Sequence, residues 1–476
     1  MKQKISFQNH FIFLIPILLL CLLVILLLIC GLVFPPQYGD TFLGEMKYKY
    51  ERLVSTEGKR IVFVGGSNIP FGLKSSLVEQ AFPEYTVVDF GMYADMGTVI
   101  MLDLVKKEIH EGDIFIIMPE QNAQTLSCDF SGEDLWQAAD GAFHLLTSIS
   151  AERYERLFAA FPAFAGKKLS YAIHGAPSPD GIYARASFDE YGDISYRDRN
   201  ANIMATQYNP NDPISFSSTM ISEDFILELN DFAKEITEKG ADVYYHFPPM
   251  NAKALSTEAT TAQIDAYYAF LTSKIDFPIL GNPHLCLMEP GWFYDTNYHL
   301  NESGSIVFTA QLIDDLKLLF GDTSRMELSL PAIPDQKALS IDGDDSCTDC
   351  FTYLHKDCGY LIDHLTEKGK QCSSLILPTK YKGEPVIGLS KTLFVNDTFL
   401  EELIVQPNIG ILYDGMFQGC TNFKKLILTG DSPSVYTVGE HLQEGAEFLI
   451  SIPEDVFDDY CRHYTWHIYS PYFISE

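Results

Sequence analysis

Between Phe11 and Phe34 the chain carries no charged residue. At about 1.5 Å of rise per residue, such a run reaches across a hydrocarbon core of about 30 Å. Inside lipid a lone segment can pair its N–H and C=O groups only with its own, so the run is confined to a helix. Pro16 predicts a kink, which membrane helices tolerate. Lys2 and Lys4 precede the run, and Asp40 is the first charge after it. That asymmetry predicts a cytoplasmic tail over residues 1–10, a transmembrane anchor over 11–34, and an extracytoplasmic bulk in the cell membrane. Lys47, Lys49 and Arg52 pull weakly the other way. A cleaved signal would end in small residues. Val33-Phe34-Pro35-Pro36 does not, and Ile29 is too bulky beside Cys30 for a lipoprotein site.

The 476 residues leave room for roughly two or three domains. Acidic residues outnumber basic ones 64 to 33, giving a formal charge of -31. A field of that sign repels nucleic acid and anionic headgroups, so no nucleic-acid partner is expected.

From Lys59 to about Phe320, apolar strand patterns alternate with helical ones. Ile61–Val64, Thr86–Phe90, Ile114–Met118 and Val243–Phe247 read as strands. Helices are expected from Asn68 to about Ala81, from Thr98 to Ile109, from the Ser222 cap to about Lys239, and from the Asn301 cap to Phe320. Uninterrupted apolar strands separated by helices predict a parallel sheet covered on both faces. Residues 123–215 lack a clear period, with a loop-like stretch from Gly175 to Tyr208, and read as a lid or substrate-facing insertion.

A linker is expected over 322–345 and a second domain over 346–476. There Phe394, Leu400, Leu403 and Val405 are matched 23 residues later by Phe417, Phe423, Leu426 and Leu428. A fixed apolar repeat predicts a solenoid, each unit burying its face against its neighbours. Cys347, Cys350, Cys358 and Cys372 lack regular zinc spacing, so no metal is expected. Disulfides are the default in an exported chain, with free thiols as the alternative and the connectivity open.

Two distant segments carry chemistry. Val62-Phe63-Val64-Gly65-Gly66-Ser67-Asn68 sets a serine on a strand-to-helix turn. Phe293-Tyr294-Asp295-Thr296-Asn297-Tyr298-His299 sets an aspartate four residues before a histidine. Ser67 needs a neutral base within hydrogen-bond reach to lose its proton as it attacks a carbonyl, and Asp295 can hold the tautomer of His299. Taken singly, each residue also has a structural reading as a turn or packing residue. No Lys-Ser or Lys-Thr follows Gly65-Gly66, which argues against a phosphate loop.

Together these segments resemble the SGNH/GDSL hydrolase superfamily over roughly residues 55–320. Tyr298-His299-Leu300-Asn301-Glu302-Ser303-Gly304 is similar to its membrane-anchored branch near the proteins of teichoic-acid D-alanylation. The resemblance implies a flavodoxin-like three-layer α/β/α domain over 40–321, a Ser67/His299/Asp295 triad without cofactor, and backbone oxyanion donors at Ser67 and Gly91. Many members add an asparagine after the third strand. Here the chain reads Met118-Pro119-Glu120-Gln121-Asn122, leaving Gln121 and Asn122 as candidate donors. Phe417-Gln418-Gly419-Cys420-Thr421-Asn422-Phe423 resembles the BspA-like leucine-rich repeats of bacterial surface proteins, which implies a short C-terminal solenoid with a protein or glycan ligand. The joint expectation is an O-acyl esterase or acyltransferase whose partners are a cell-wall or surface glycopolymer and an acyl donor. The alternative is a catalytically inactive surface binding or adhesion protein.

Overall fold

A computed structural model describes residues 2–176, 181–196, 199–204, 207–210, 212–334, 343–356, 359–430, 433, 436–439, 441–462 and 466–475. The chain is a mixed α/β protein with parallel sheets and one apolar N-terminal helix.

That helix, α1 (Lys2–Leu28), continues through a wider turn, Ile29–Val33, closed by the Phe34 N–H on the Ile29 carbonyl at 3.1 Å. Its stretch Ile15–Val33 is long and apolar enough to cross a membrane, and the large side chains from Ile15 to Leu28 stand mostly exposed. After α2 (Met46–Ser55), the sheet begins with β1 (Lys59–Gly65), followed by α3 (Asn68–Gly72), α4 (Ser75–Ala81), β2 (Tyr85–Gly91), α5 (Thr98–Val105) and β3 (Ile114–Met118). Then come α6 (Gly132–Ala138), α7 (Tyr154–His174), α8 (Glu223–Glu238), β4 (Asp242–His246), β5 (Met250–Asn251), α9 (Thr261–Lys274), β6 (Ile279–Leu280), β7 (Leu287–Met288) and α10 (Glu302–Leu319). The main sheet runs β2-β1-β3-β4-β6, all parallel. From Ile61 to Val64 β1 is apolar on both faces, as is all of β3, and both are almost wholly buried, as a sheet covered on both sides requires. The strand order reverses at β1, which opens a crevice beyond its carboxyl end.

Two helices differ from the sequence pattern. The segment expected as one helix from Asn68 to Ala81 is broken at Leu73, whose backbone is extended, and the Lys74 N–H is taken by Thr309 Oγ1 of α10 at 2.9 Å. The helix beginning at Thr98 stops at Val105. Beyond it the Glu108 carbonyl is taken by Arg60, and Asp113 accepts the His110 N–H at 2.9 Å. Among the described residues of 123–215 are two α-helices, α6 and α7, which no periodicity announced. The caps at Ser222 and Asn301 are formed as expected, through the Phe225 and Gly304 N–H groups.

A separate core occupies the C-terminal part. There, short parallel strands stack as Ser374–Ile376, Glu402–Val405, Lys425–Leu428, Leu449–Ile452 and Phe473–Ser475. Glu402 pairs with Lys425, Lys425 with Leu449 and Ile450 with Phe473. Leu375, Leu403, Leu426 and Ile450 are buried in the same core. The 23-residue offset in the sequence is thus the register of the second and third strands. Cys350 and Cys372 are free thiols with their sulfurs 3.9 Å apart, and Cys347 is also free. Cys358 lies outside the described residues.

Candidate active site

Ser67 follows β1, an interior strand of the sheet between β2 and β3. The close approach of β1 to β3 requires Gly65: a Cβ there would run into the Met118 carbonyl. A Cβ on Gly66 would stand 3.0 Å from a carboxylate oxygen of Glu120. Ser67 itself is helical, with φ -66° and ψ -16°, and the chain turns directly into α3. Its hydroxyl therefore lies just beyond the carboxyl end of the strand, with the side chain buried.

The Asp295 and His299 side chains arrive on a tight loop before α10. Phe293 bridges Leu300 in antiparallel fashion, and the Tyr294 N–H donates to the His299 carbonyl at 2.8 Å. The His299 N–H in turn donates to Thr296 Oγ1 at 3.0 Å. Asn301 fixes the base of the loop, its amide donating to the Gly291 and Phe293 carbonyls while its oxygen caps α10. The result is a continuous chain: Ser67 Oγ to His299 Nε2 at 2.8 Å, and His299 Nδ1 to Asp295 Oδ1 at 2.8 Å. All three expected residues come together in the expected order.

Two residues absent from the sequence reading complete the surroundings of the imidazole. The Tyr183 hydroxyl donates to Asp295 Oδ2 at 2.5 Å, satisfying the oxygen that His299 leaves over. Phe71 stacks on the His299 ring with centroids 3.8 Å apart and planes at 7°. Behind Phe71 lies the buried guanidinium of Arg199. It donates to the Phe71, Leu300 and Ile194 carbonyls and pairs with Glu302 at 3.1 Å. Burial presses Glu302 upward, but Lys74 and Arg199 hold it below its ordinary value on balance. Tyr183 and Arg199 come from the aperiodic stretch after α7, where no pattern marks them.

The donor positions differ from expectation. The Gly91 N–H is committed to Asp89 Oδ1 at 2.8 Å, because that side chain folds back over its own strand end. Gln121 turns away: its amide donates to the Ser215 carbonyl at 3.2 Å. Asn122 is occupied by Thr125, whose N–H donates to its oxygen at 3.0 Å, and it reaches only the far oxygen of Glu120 at 3.4 Å. The side chain beside Ser67 is instead Glu120. Its Oε1 accepts from Ser67 Oγ at 3.1 Å and from the Asn68 N–H at 3.3 Å. Burial pushes this carboxyl up to about 7, with Asp212 adding to the rise and His299, Ser67 and Asn68 opposing it. At neutral pH the Ser67 hydroxyl thus lies between an imidazole and a carboxyl near its titration midpoint.

A cavity of about 530 Å³ adjoins the site, lined among others by Tyr38, Phe42, Asp95, Gln124, Tyr171 and Tyr183. It shares Tyr183 with the site, while Ser67 and His299 do not line it. His246, another buried histidine, is held by the Phe247 carbonyl and Asp315.

No protein-family model matches the chain, and no curated protein matches it in sequence. Among solved structures, the crystal structure of the protein YXIM from Bacillus subtilis is similar at 12% identity. The alignment covers 55% of this chain and 57% of that one, with a TM-score of 0.26. At that score the two are not shown to share a fold.

Proposed function

We propose that this is a membrane-anchored, extracytoplasmic serine acyl-transfer enzyme of SGNH type, an O-acyl esterase or acyltransferase acting on a cell-surface glycopolymer. The observation that carries it is the unbroken hydrogen-bond chain from Ser67 through His299 to Asp295. His299 Nε2 takes the hydroxyl proton as Ser67 Oγ attacks the acyl carbonyl. The imidazolium is stabilised by Asp295, which Tyr183 holds in place. The tetrahedral intermediate collapses, His299 returns the proton to the leaving oxygen or sulfur of the donor, and the acyl group stays on Ser67. An acceptor hydroxyl, from water or a sugar or polyol, then gives its proton to His299 and takes the acyl group as the bond to Ser67 Oγ breaks, and His299 passes the proton on to that oxygen, restoring the hydroxyl.

Glu120 fits this scheme in its protonated form. A neutral carboxyl leaves the Ser67 proton to His299 and adds no negative charge beside the developing oxyanion. The parallel strand order β2-β1-β3-β4-β6, with the serine after the first strand, supports the SGNH assignment. The strands repeating about every 23 residues support a leucine-rich-repeat solenoid that binds a protein or glycan. The apolar span Ile15–Val33, with Lys2 and Lys4 before it, supports the anchored, outward-facing topology.

One observation favours an inactive binding protein instead: with the Gly91 N–H engaged and a carboxyl where an amide is usual, the oxyanion site is short of donors. Incubation with a simple activated ester, followed by peptide mass analysis, decides between them. An acyl adduct on the Ser67 peptide, absent from His299→Ala, supports the enzyme. Its absence at every pH from 5 to 9 supports the binding protein.

A further inference from the structure

Helix α7 has an unusual outer face. Over the stretch from Phe158 to Ile173 its exposed positions include Phe158, Ala159, Pro162, Ala163, Gly166 and Ile173, and none of its exposed positions is charged. At 100° per residue these six lie within one sector of the helix. The two lysines of the stretch are turned away from it: Lys167 pairs with Glu133, and Lys168 is buried on Asp140. Ser170 is the one polar side chain exposed in that sector. An uncharged, largely apolar stripe of this length is out of place on a chain with net charge -31.

What covers it follows from the neighbour on its flank. The last turn of the apolar span packs directly on α7: a Cβ on Gly31 would come within 2.5 Å of the Phe161 ring and 3.4 Å of Ala165. Lys168 Nζ donates to the Gly31 and Phe34 carbonyls at 3.2 and 3.0 Å, clamping the end of the span onto the helix. A span of 19 residues is about 28 Å long, close to the thickness of a hydrocarbon core. Gly31 therefore sits near the edge of that core, and the helix touching it lies at the same level. Phe161 and Ala165 face the anchor, and the apolar stripe is the adjoining sector.

We infer that α7 lies in the membrane–water interface, with its Phe158–Ile173 stripe against lipid. The inference rests on the reading of Ile15–Val33 as a membrane span. α7 is then a second membrane contact, which with the anchor fixes both the height and the tilt of the domain. Its opposite side carries Tyr171, which lines the cavity that adjoins Tyr183. Binding comes from apolar contact, so it does not require anionic lipid.

The test uses the full chain reconstituted in phosphatidylcholine vesicles with and without brominated acyl chains, which quench nearby indoles. Four variants are compared with the parent: Leu20→Trp in the span, Phe158→Trp and Ile173→Trp on the stripe, and Leu318→Trp on α10 as an exposed control. The inference predicts that brominated lipid quenches the added emission at 20, 158 and 173 at least several-fold more than at 318. Quenching at 20 without quenching at 158 and 173 overturns the inference and leaves the anchor standing. No quenching at 20 removes the anchor and the inference with it. Indoles at 158 and 173 shielded from both aqueous iodide and brominated lipid mean that protein covers the stripe, which also overturns it. Equal quenching at 318 reports general adsorption and overturns it too.

Discussion

Glu120 Oε1 lies 3.1 Å from Ser67 Oγ, while His299 Nε2 approaches the same oxygen at 2.8 Å. One hydroxyl proton faces two acceptors whenever Glu120 is ionised. Since burial lifts Glu120 to about 7, the competition is set by pH within the physiological range.

The first prediction concerns reactivity. Acylation of Ser67 is expected to fall as pH climbs through about 7 and Glu120 ionises. Glu120→Gln keeps the shape and removes the charge. It should abolish the alkaline fall and react roughly tenfold faster than the parent at pH 8.5, about 1.4 kcal/mol of barrier. Initial acylation rates from pH 5 to 9 check this. A parent profile that stays flat above pH 7 speaks against a role for the carboxyl.

Stability follows the same group with a definite sign. Glu120 holds its proton more tightly folded than unfolded, so its share of stability is present at acid pH and is lost as pH rises from about 4.5 to about 7. Full ionisation costs on the order of 3 kcal/mol at most, from 1.36 kcal/mol per pH unit. Burial also raises Glu45, Asp89 and Asp193, which adds in the same direction. The protein should denature more easily at pH 8 than at pH 5. Glu120→Gln should narrow that gap, as denaturant titrations at the two values would reveal.

Tyr183 and Asp295 form a separable pair. Tyr183→Phe removes the hydroxyl on Asp295 Oδ2 without touching Ser67. A hydrogen bond to a charged group contributes about 1.5–3 kcal/mol, so acylation should slow by about ten- to a hundredfold. Asp295→Asn should cost more, about four orders of magnitude, because His299 then holds the wrong tautomer. Equal effects of the two would show that Tyr183 does more than orient Asp295.

Arg199 anchors the loop from the other side. Arg199→Met strips donors from three buried carbonyls and leaves Glu302 with Lys74 alone. A loss of about 3–5 kcal/mol is expected by chemical denaturation. Arg199→Lys should recover little, since one ammonium cannot reproduce the fork. Leu426→Ala, in the other core, should cost about 2–5 kcal/mol in the melting of the C-terminal part and leave Ser67 acylation unchanged.

The parallel sheet is legible in the sequence because Ile61–Val64 and Ile114–Met118 are apolar at every position, a pattern with few other solutions. The meeting of Ser67, Asp295 and His299 is legible because a hydroxyl after the first strand and an Asp four residues before a His are residue types in a recognisable setting. The rest depends on directions that local pattern does not encode. Glu120 faces Ser67, and its neighbour Gln121 faces Ser215, only because of the way the chain turns after Met118. The Gly91 N–H is lost to the site because the Asp89 side chain folds back onto it. Tyr183 and Arg199 arrive on irregular backbone whose path is set by buried side-chain contacts, with no period to read.

The proposed function stands or falls with Ser67 as an activated nucleophile. Labelling of the full chain with a fluorophosphonate probe at pH 6.5, beside Ser67→Ala and His299→Ala, tests it most directly. Stoichiometric labelling of the parent, none of Ser67→Ala, and a loss of at least about a thousandfold in rate for His299→Ala are expected. A folded parent that stays unlabelled, or labelling that survives Ser67→Ala, would contradict it.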